Sequence, residues 1–241
     1  MKLNAVLLDM GGVLLDLTGT GGLPPRRLDW RGREAMVRLL RRDGIRVSLD
    51  DLEAAVFGPW RRQWNRRYRR SAEADWSPHL ALLRRGGAGP SDEDLLAAWF
   101  RPFAETIEPL PGARGALERM SDQGMRLALV SNVPLPGRLY REILERHGLL
   151  GRLEHLEFSY DAGHRKPSPA LLRSALRVLG VPAAEALMVG DRRAVDIAAG
   201  MAAGVGTVWV RCDDPDGPAA DWIVDSVVDL PQLVARLRSE G

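Results

Sequence analysis

The stretch LLDMGGVLLD, residues 7–16, carries an apolar run onto an acid, Asp9, and then turns through Gly11 and Gly12. The run NAVLLD (4–9) is short, unbroken and bounded by turn residues, which suits a strand covered on both faces. Comparable runs follow at RLALV (126–130), EALMV (185–189), TVWV (207–210) and, more weakly, WIV (222–224). Between them lie helical patterns: ARGALERMSDQG (113–124), PALLRSALRVLG (169–180) and AVDIAAGMAAG (194–204). Glycines at the ends of such segments suit helix C-termini. Strands alternating with helices predict an α/β fold, a doubly wound, Rossmann-like parallel sheet. Ligands of such sheets sit beyond the carboxyl ends of the strands. Asp9, Ser131 and Asp191 fall at three of those ends.

Residues 17–106 break the rhythm. They contain no convincing strand and several helical patterns, two of which open on capping-box signatures, Ser48 to Asp51 and Ser91 to Asp94. Glycine–proline clusters at 19–25 and 108–112 mark the edges. The expected organisation is a core of residues 1–16 and 107–241, with a helical subdomain, 17–106, inserted between its first and second strands. Inside the insert, FGPWRRQWNRRYRR places Phe57, Trp60, Trp64 and Tyr68 at helical spacing. Aromatics among arginines can stack nucleic-acid bases, but a stripe at this spacing reads first as the buried side of a helix.

Composition narrows the class. With 45% hydrophobic and 27% charged residues, the chain is an ordinary globular protein rather than a disordered one. One cysteine, Cys212, excludes an internal disulfide and suits a reducing compartment. No leader and no stretch of ~20 apolar residues is visible, so a cytoplasmic location and no membrane partner are expected. The net charge of +2 conceals an asymmetry: residues 26–70 hold 14 arginines and 6 acids, +8, leaving −6 elsewhere. A basic segment suits an anionic partner such as a phosphorylated small molecule, although most of these arginines read as a solvated face.

Four places then require a joint explanation: Asp9; Ser131 with Asn132; Lys166 in GHRKPSP; and Asp191 with Asp196 in MVGDRRAVD. Singly, each is a cap, a loop charge or a helix-start acid. Together they suit phosphoryl transfer. A carboxylate can be the nucleophile, a hydroxyl and an ammonium can hold the phosphoryl group, and two acids can share a magnesium ion.

That order of motifs resembles the haloacid dehalogenase-like hydrolase superfamily, mostly magnesium-dependent phosphatases, and the insert resembles the small helical cap of one of its branches. The resemblance implies Asp9 as nucleophile, Ser131 and Asn132 as phosphoryl ligands and Lys166 as stabiliser of an aspartyl-phosphate. It further implies Mg2+ held by Asp9, the Gly11 carbonyl and Asp191, with Asp196 in support. The implied substrate is a small phosphorylated molecule, with no nucleic-acid partner; the oligomeric state is not legible.

Position 11 departs from the family pattern, in which an aspartate there protonates the leaving group and activates water. Gly11 can do neither. Asp16, His164 or a residue of the cap are candidate replacements, and substrates with good leaving groups would need none. A 2-haloacid dehalogenase also lacks that aspartate, and a catalytically weak phosphate-binding protein would not need it. Against the dehalogenase, the acid at Asp191 would repel a haloacid's carboxylate.

Overall fold

The computed structural model describes residues 2–18, 23–68, 73–84, 89–213 and 216–240, of 65–68 the backbone only. The expected edge cluster at 19–22 and the side chain of Tyr68 therefore lie outside the described residues. The chain divides into two compact units, Met1–Leu17 with Glu108–Gly241, and Thr18–Ile107. No helix among the described residues is long and apolar enough to cross a membrane.

The strands of the first unit are β1 (Ala5–Leu8), β2 (Leu15–Asp16), β3 (Glu108–Pro109), β4 (Arg126–Ser131), β5 (His155–Phe158), β6 (Ala186–Gly190), β7 (Gly206–Val210) and β8 (Trp222–Val224). Six form a parallel sheet in the order β5-β4-β1-β6-β7-β8. β1 and β6 are buried along their whole length, as their unbroken apolar sequences require. From β1 the chain steps outward through β4 to β5, then returns across β1 to β6, β7 and β8. The switch point lies at β1, with β4 on one side and β6 on the other. Leu8 is level with Leu129 and Val189, so the residues leaving these strands emerge side by side.

Packing fixes that platform. Helix Ala170–Leu179 buries Leu171, Leu172, Ala175, Leu176 and Leu179. They meet Ala5 and Leu7 of β1, Ala128 and Val130 of β4, and Ala186 and Met188 of β6. Each large apolar side chain there contributes roughly 1.5–3 kcal/mol relative to exposure. The helix stops at Gly180, whose left-handed conformation (φ 63°) ends it.

Five elements were not expected. β5 is an edge strand of mixed sequence, HLEF, where His155 and Glu157 pair at 2.8 Å. β2 and β3 are a two-residue antiparallel pair, Leu15 opposite Pro109 and Asp16 opposite Glu108. The amphipathic helices Gly137–Arg146 and Leu230–Ser239 complete the set.

The second unit shows helices and no strand among its described residues. Helices Pro25–Arg42 and Asp92–Ala104 pack so closely that a Cβ on Gly32 would lie 2.2 Å from the Trp99 carbonyl oxygen. The Trp99 indole donates to Asp29 at 2.9 Å beside that crossing. Ser48 and Asp51 form the reciprocal capping box, and Ser91 accepts from the Asp94 backbone N–H. Phe57 and Trp60 are buried, with Trp60 stacked on Trp76 at 4.0 Å and Phe57 against Trp76 and Trp99. Those two members of the aromatic stripe are core.

Candidate active site

Three neighbouring strand ends build the site. Asp9 follows β1, and its N–H extends the ladder to the Val189 carbonyl of β6 (2.9 Å). Ser131 is the buried last residue of β4, and Asp191 follows Gly190, the last of β6. Asp196 is fully buried in the turn Arg193–Ile197, its carboxylate accepting from the Arg192 N–H at 3.0 Å.

Lys166 ties these ends together. Its buried ammonium donates to the Val130 carbonyl at 2.7 Å and lies 2.9 Å from Asp9 Oδ1 and 2.7 Å from Asp196 Oδ1. An ammonium has three protons, and each has an acceptor here. Asn132 holds the lysine's backbone, Nδ2 donating to the Lys166 carbonyl (2.9 Å) and Oδ1 accepting from its N–H (2.8 Å). Expected as a phosphoryl ligand, Asn132 is first a clamp on Lys166, with one amide hydrogen left over.

Oxygens of Asp9, Asp191 and Asp196 all lie within 4.8 Å of one another. Three carboxylates against one ammonium leave the cluster an excess of negative charge. Burial, and then the charges of Asp9 and Asp196, push Asp191 up to about 7. Burial also raises Asp196, with Lys166 pulling the other way. Burial pulls Lys166 down, but the two facing carboxylates hold it above its ordinary value.

Two glycines make room for these acids. A Cβ on Gly12, which sits at φ +70°, would lie 2.2 Å from Asp191 Oδ2. One on Gly190 would lie 2.2 Å from Asp196 Cβ and 2.5 Å from its Oδ2. The site is thus shaped by cradles that any side chain would fill. An all-oxygen, clustered, anionic donor set of this kind fits a hard divalent cation such as magnesium.

Gly11 differs from Gly12. A Cβ there would meet only the Leu17 side chain, Cδ1 at 2.7 Å, so Leu17 occupies the space of any side chain at position 11. Of the candidate replacements for the missing acid, Asp16 sits in the β2–β3 pair opposite Glu108, and His164 is exposed. Neither belongs to the acid cluster. Two residues that sequence reasoning missed hold Asp191 from behind: its backbone carbonyl accepts from the Trp209 indole N–H (2.8 Å) and the Cys212 thiol (3.1 Å). Nothing in the sequence distinguishes Trp209 from another apolar residue at the end of β7.

The sequence profile of the haloacid dehalogenase-like hydrolases matches residues 3–204. A phosphoglycolate phosphatase of Cupriavidus necator is 39% identical over 154 residues, 60% of this chain and 65% of that protein. The chain therefore aligns with somewhat less than two thirds of that relative. A HAD phosphatase structure from Thermococcus onnurineus superposes with a TM-score of 0.62 at 22% identity, covering 96% of this chain and 98% of that one. A 2-haloacid dehalogenase from Pseudomonas syringae superposes with a TM-score of 0.58, also at 22% identity, covering 98% and 99%. At these identities the structural likenesses speak to the fold, which phosphatase and dehalogenase share. The match over most of its length makes this chain a member of the haloacid dehalogenase-like hydrolase family.

Proposed function

We propose that the chain is a magnesium-dependent phosphatase that cleaves a small phosphate monoester through an aspartyl-phosphate on Asp9. The observation that carries this reading is the convergence of Asp9, Asp191 and Asp196 within 4.8 Å, with Lys166 2.9 Å from Asp9. A dehalogenase has no use for so concentrated a negative charge, which would repel a haloacid's carboxylate. The phosphatase relative supports the same choice.

In the proposed reaction an Asp9 oxygen attacks phosphorus, forming an acyl-phosphate bond as the ester P–O bond breaks. The leaving oxygen takes its proton from water or from an acid other than position 11. Water then attacks phosphorus, breaks the bond to Asp9 and releases inorganic phosphate with the carboxylate restored. Lys166 and the Ser131 hydroxyl offset the phosphoryl charge, and Asn132 fixes Lys166. Magnesium, held by Asp9, Asp191 and the Gly11 carbonyl with Asp196 in support, would supply further charge neutralisation. In this reading the helical unit is the cap that selects the substrate.

Phosphate release from an ester panel, phosphoglycolate and an aryl phosphate included, tests the reading with magnesium and with chelator. Release that needs magnesium and disappears in Asp9→Asn is expected. No release from any ester, with chloride freed from 2-chloropropionate, would replace it by the dehalogenase; silence in both assays would leave a binding protein.

A further inference from the structure

The charge excess noted in the sequence finds no use in the chemistry above, and part of it converges on one place. Helices Pro25–Arg42 and Asp92–Ala104 pack side by side in the second unit, and a cleft of about 370 Å³ runs along their seam. Arg38 and Arg42 line it from the first helix, Arg101 and Asp94 from the second, over a floor that includes Leu39 and Ala98. Lining positions on each helix follow the spacing i, i+3, i+4, i+7, so the cleft extends along roughly 10 Å of helix.

The charges in it are unbalanced. Arg38 reaches Glu34 only at 3.9 Å, and among the described residues Arg42 and Arg101 have no carboxylate partner. The one acid in the lining, Asp94, already accepts the Ser91 hydroxyl at 2.6 Å at the start of its helix. Placement in a last helical turn accounts for Arg42 and for Arg101 separately. It does not account for three guanidinium groups lining one cleft.

We propose that this cleft binds a small polyanion carrying more than one phosphate group, with Arg38, Arg42 and Arg101 as its donors. Guanidinium forks match phosphate oxygens two at a time, and a phosphate chain offers successive groups to successive arginines. The volume lies in the range of small-molecule sites. The proposal uses no residue of the core unit and stands whether or not the phosphatase reading holds.

Calorimetric titration of inorganic tripolyphosphate into the full chain, in chelator and low salt, tests it. The comparison is a triple variant, R38Q/R42Q/R101Q, whose exposed side chains can be changed with the fold intact, at a cost of at most a few degrees in Tm. Saturable binding that the triple variant weakens at least tenfold, and that added salt weakens too, is expected. Equal affinity in both proteins would move the binding elsewhere, and no binding would make the arginines a solvated face. Either result overturns the proposal. So would a cleft that ignores tripolyphosphate but takes an oligoglutamate peptide, since that outcome describes a contact for an acidic protein.

Discussion

Replacing Asp191 by asparagine should stabilise the metal-free protein, although it removes a residue of the proposed site. Asp191 is half-buried beside two other carboxylates, and its pKa rises from 3.8 to about 7, first through burial and then through Asp9 and Asp196. A carboxyl group raised on folding binds its proton more tightly in the native state. Its contribution is therefore fullest below pH 4 and is lost as the pH climbs toward 7. The displacement corresponds to about 4 kcal/mol, which solvent screening of a half-exposed group reduces to about 2 kcal/mol. For a chain of this size that is roughly 4–8 °C in Tm. Thermal unfolding in chelator should thus show Asp191→Asn melting roughly 4–8 °C above wild type at pH 8, with the gap narrowing by pH 5 and closing below about pH 4. Magnesium should raise the wild-type Tm, more at pH 8 than at pH 6, and leave the variant unmoved. A variant less stable than wild type in chelator at pH 8, or a gap independent of pH, would refute the electrostatic reasoning.

Other perturbations follow from the same geometry. Gly12→Ala would set a Cβ 2.2 Å from Asp191 Oδ2 at a positive φ; a cost of about 1–3 kcal/mol in denaturant unfolding is expected, with magnesium affinity down at least tenfold in a thermal-shift titration. Lys166→Met leaves Asp9 and Asp196 facing each other without their shared cation; about 3–5 kcal/mol should be lost in urea melts at pH 8, and less at pH 5. Gly11→Asp has only the end of the Leu17 side chain to displace. Turnover of alkyl phosphates should rise by about 10²–10⁴-fold and that of aryl phosphates far less. An unchanged alkyl rate would mean that another residue already supplies the proton.

How much of this could be read from the sequence depends on where each residue lies. β1, β4, β6 and β7 were legible because strands buried on both faces need unbroken apolar runs. β5 was not, because an edge strand exposes one side and its His155–Glu157 pair reads as a loop. β2 and β3 are two residues each and leave no periodicity to find. Asp9, Ser131 and Asp191 were visible at strand ends, and Lys166 and Asp196 as charges in the segments between strands; the reason they converge was not. Gly12 and Gly190 appear in sequence only as turn residues, whereas their contact with Asp191 and Asp196 is a fact of three dimensions. Asn132 could be noticed beside Ser131, but its bonds to the Lys166 backbone join residues 34 apart.

In the proposed reaction Asp9 is the group that takes the phosphoryl. The most direct test is to mix the protein with magnesium and an aryl phosphate, quench in acid and map the adduct by peptide mass spectrometry. The phosphoryl group should be found on the peptide containing Asp9, require magnesium and be missing from Asp9→Asn along with phosphate release. Phosphate released at an undiminished rate by Asp9→Asn, or an adduct on any other residue, would contradict the mechanism.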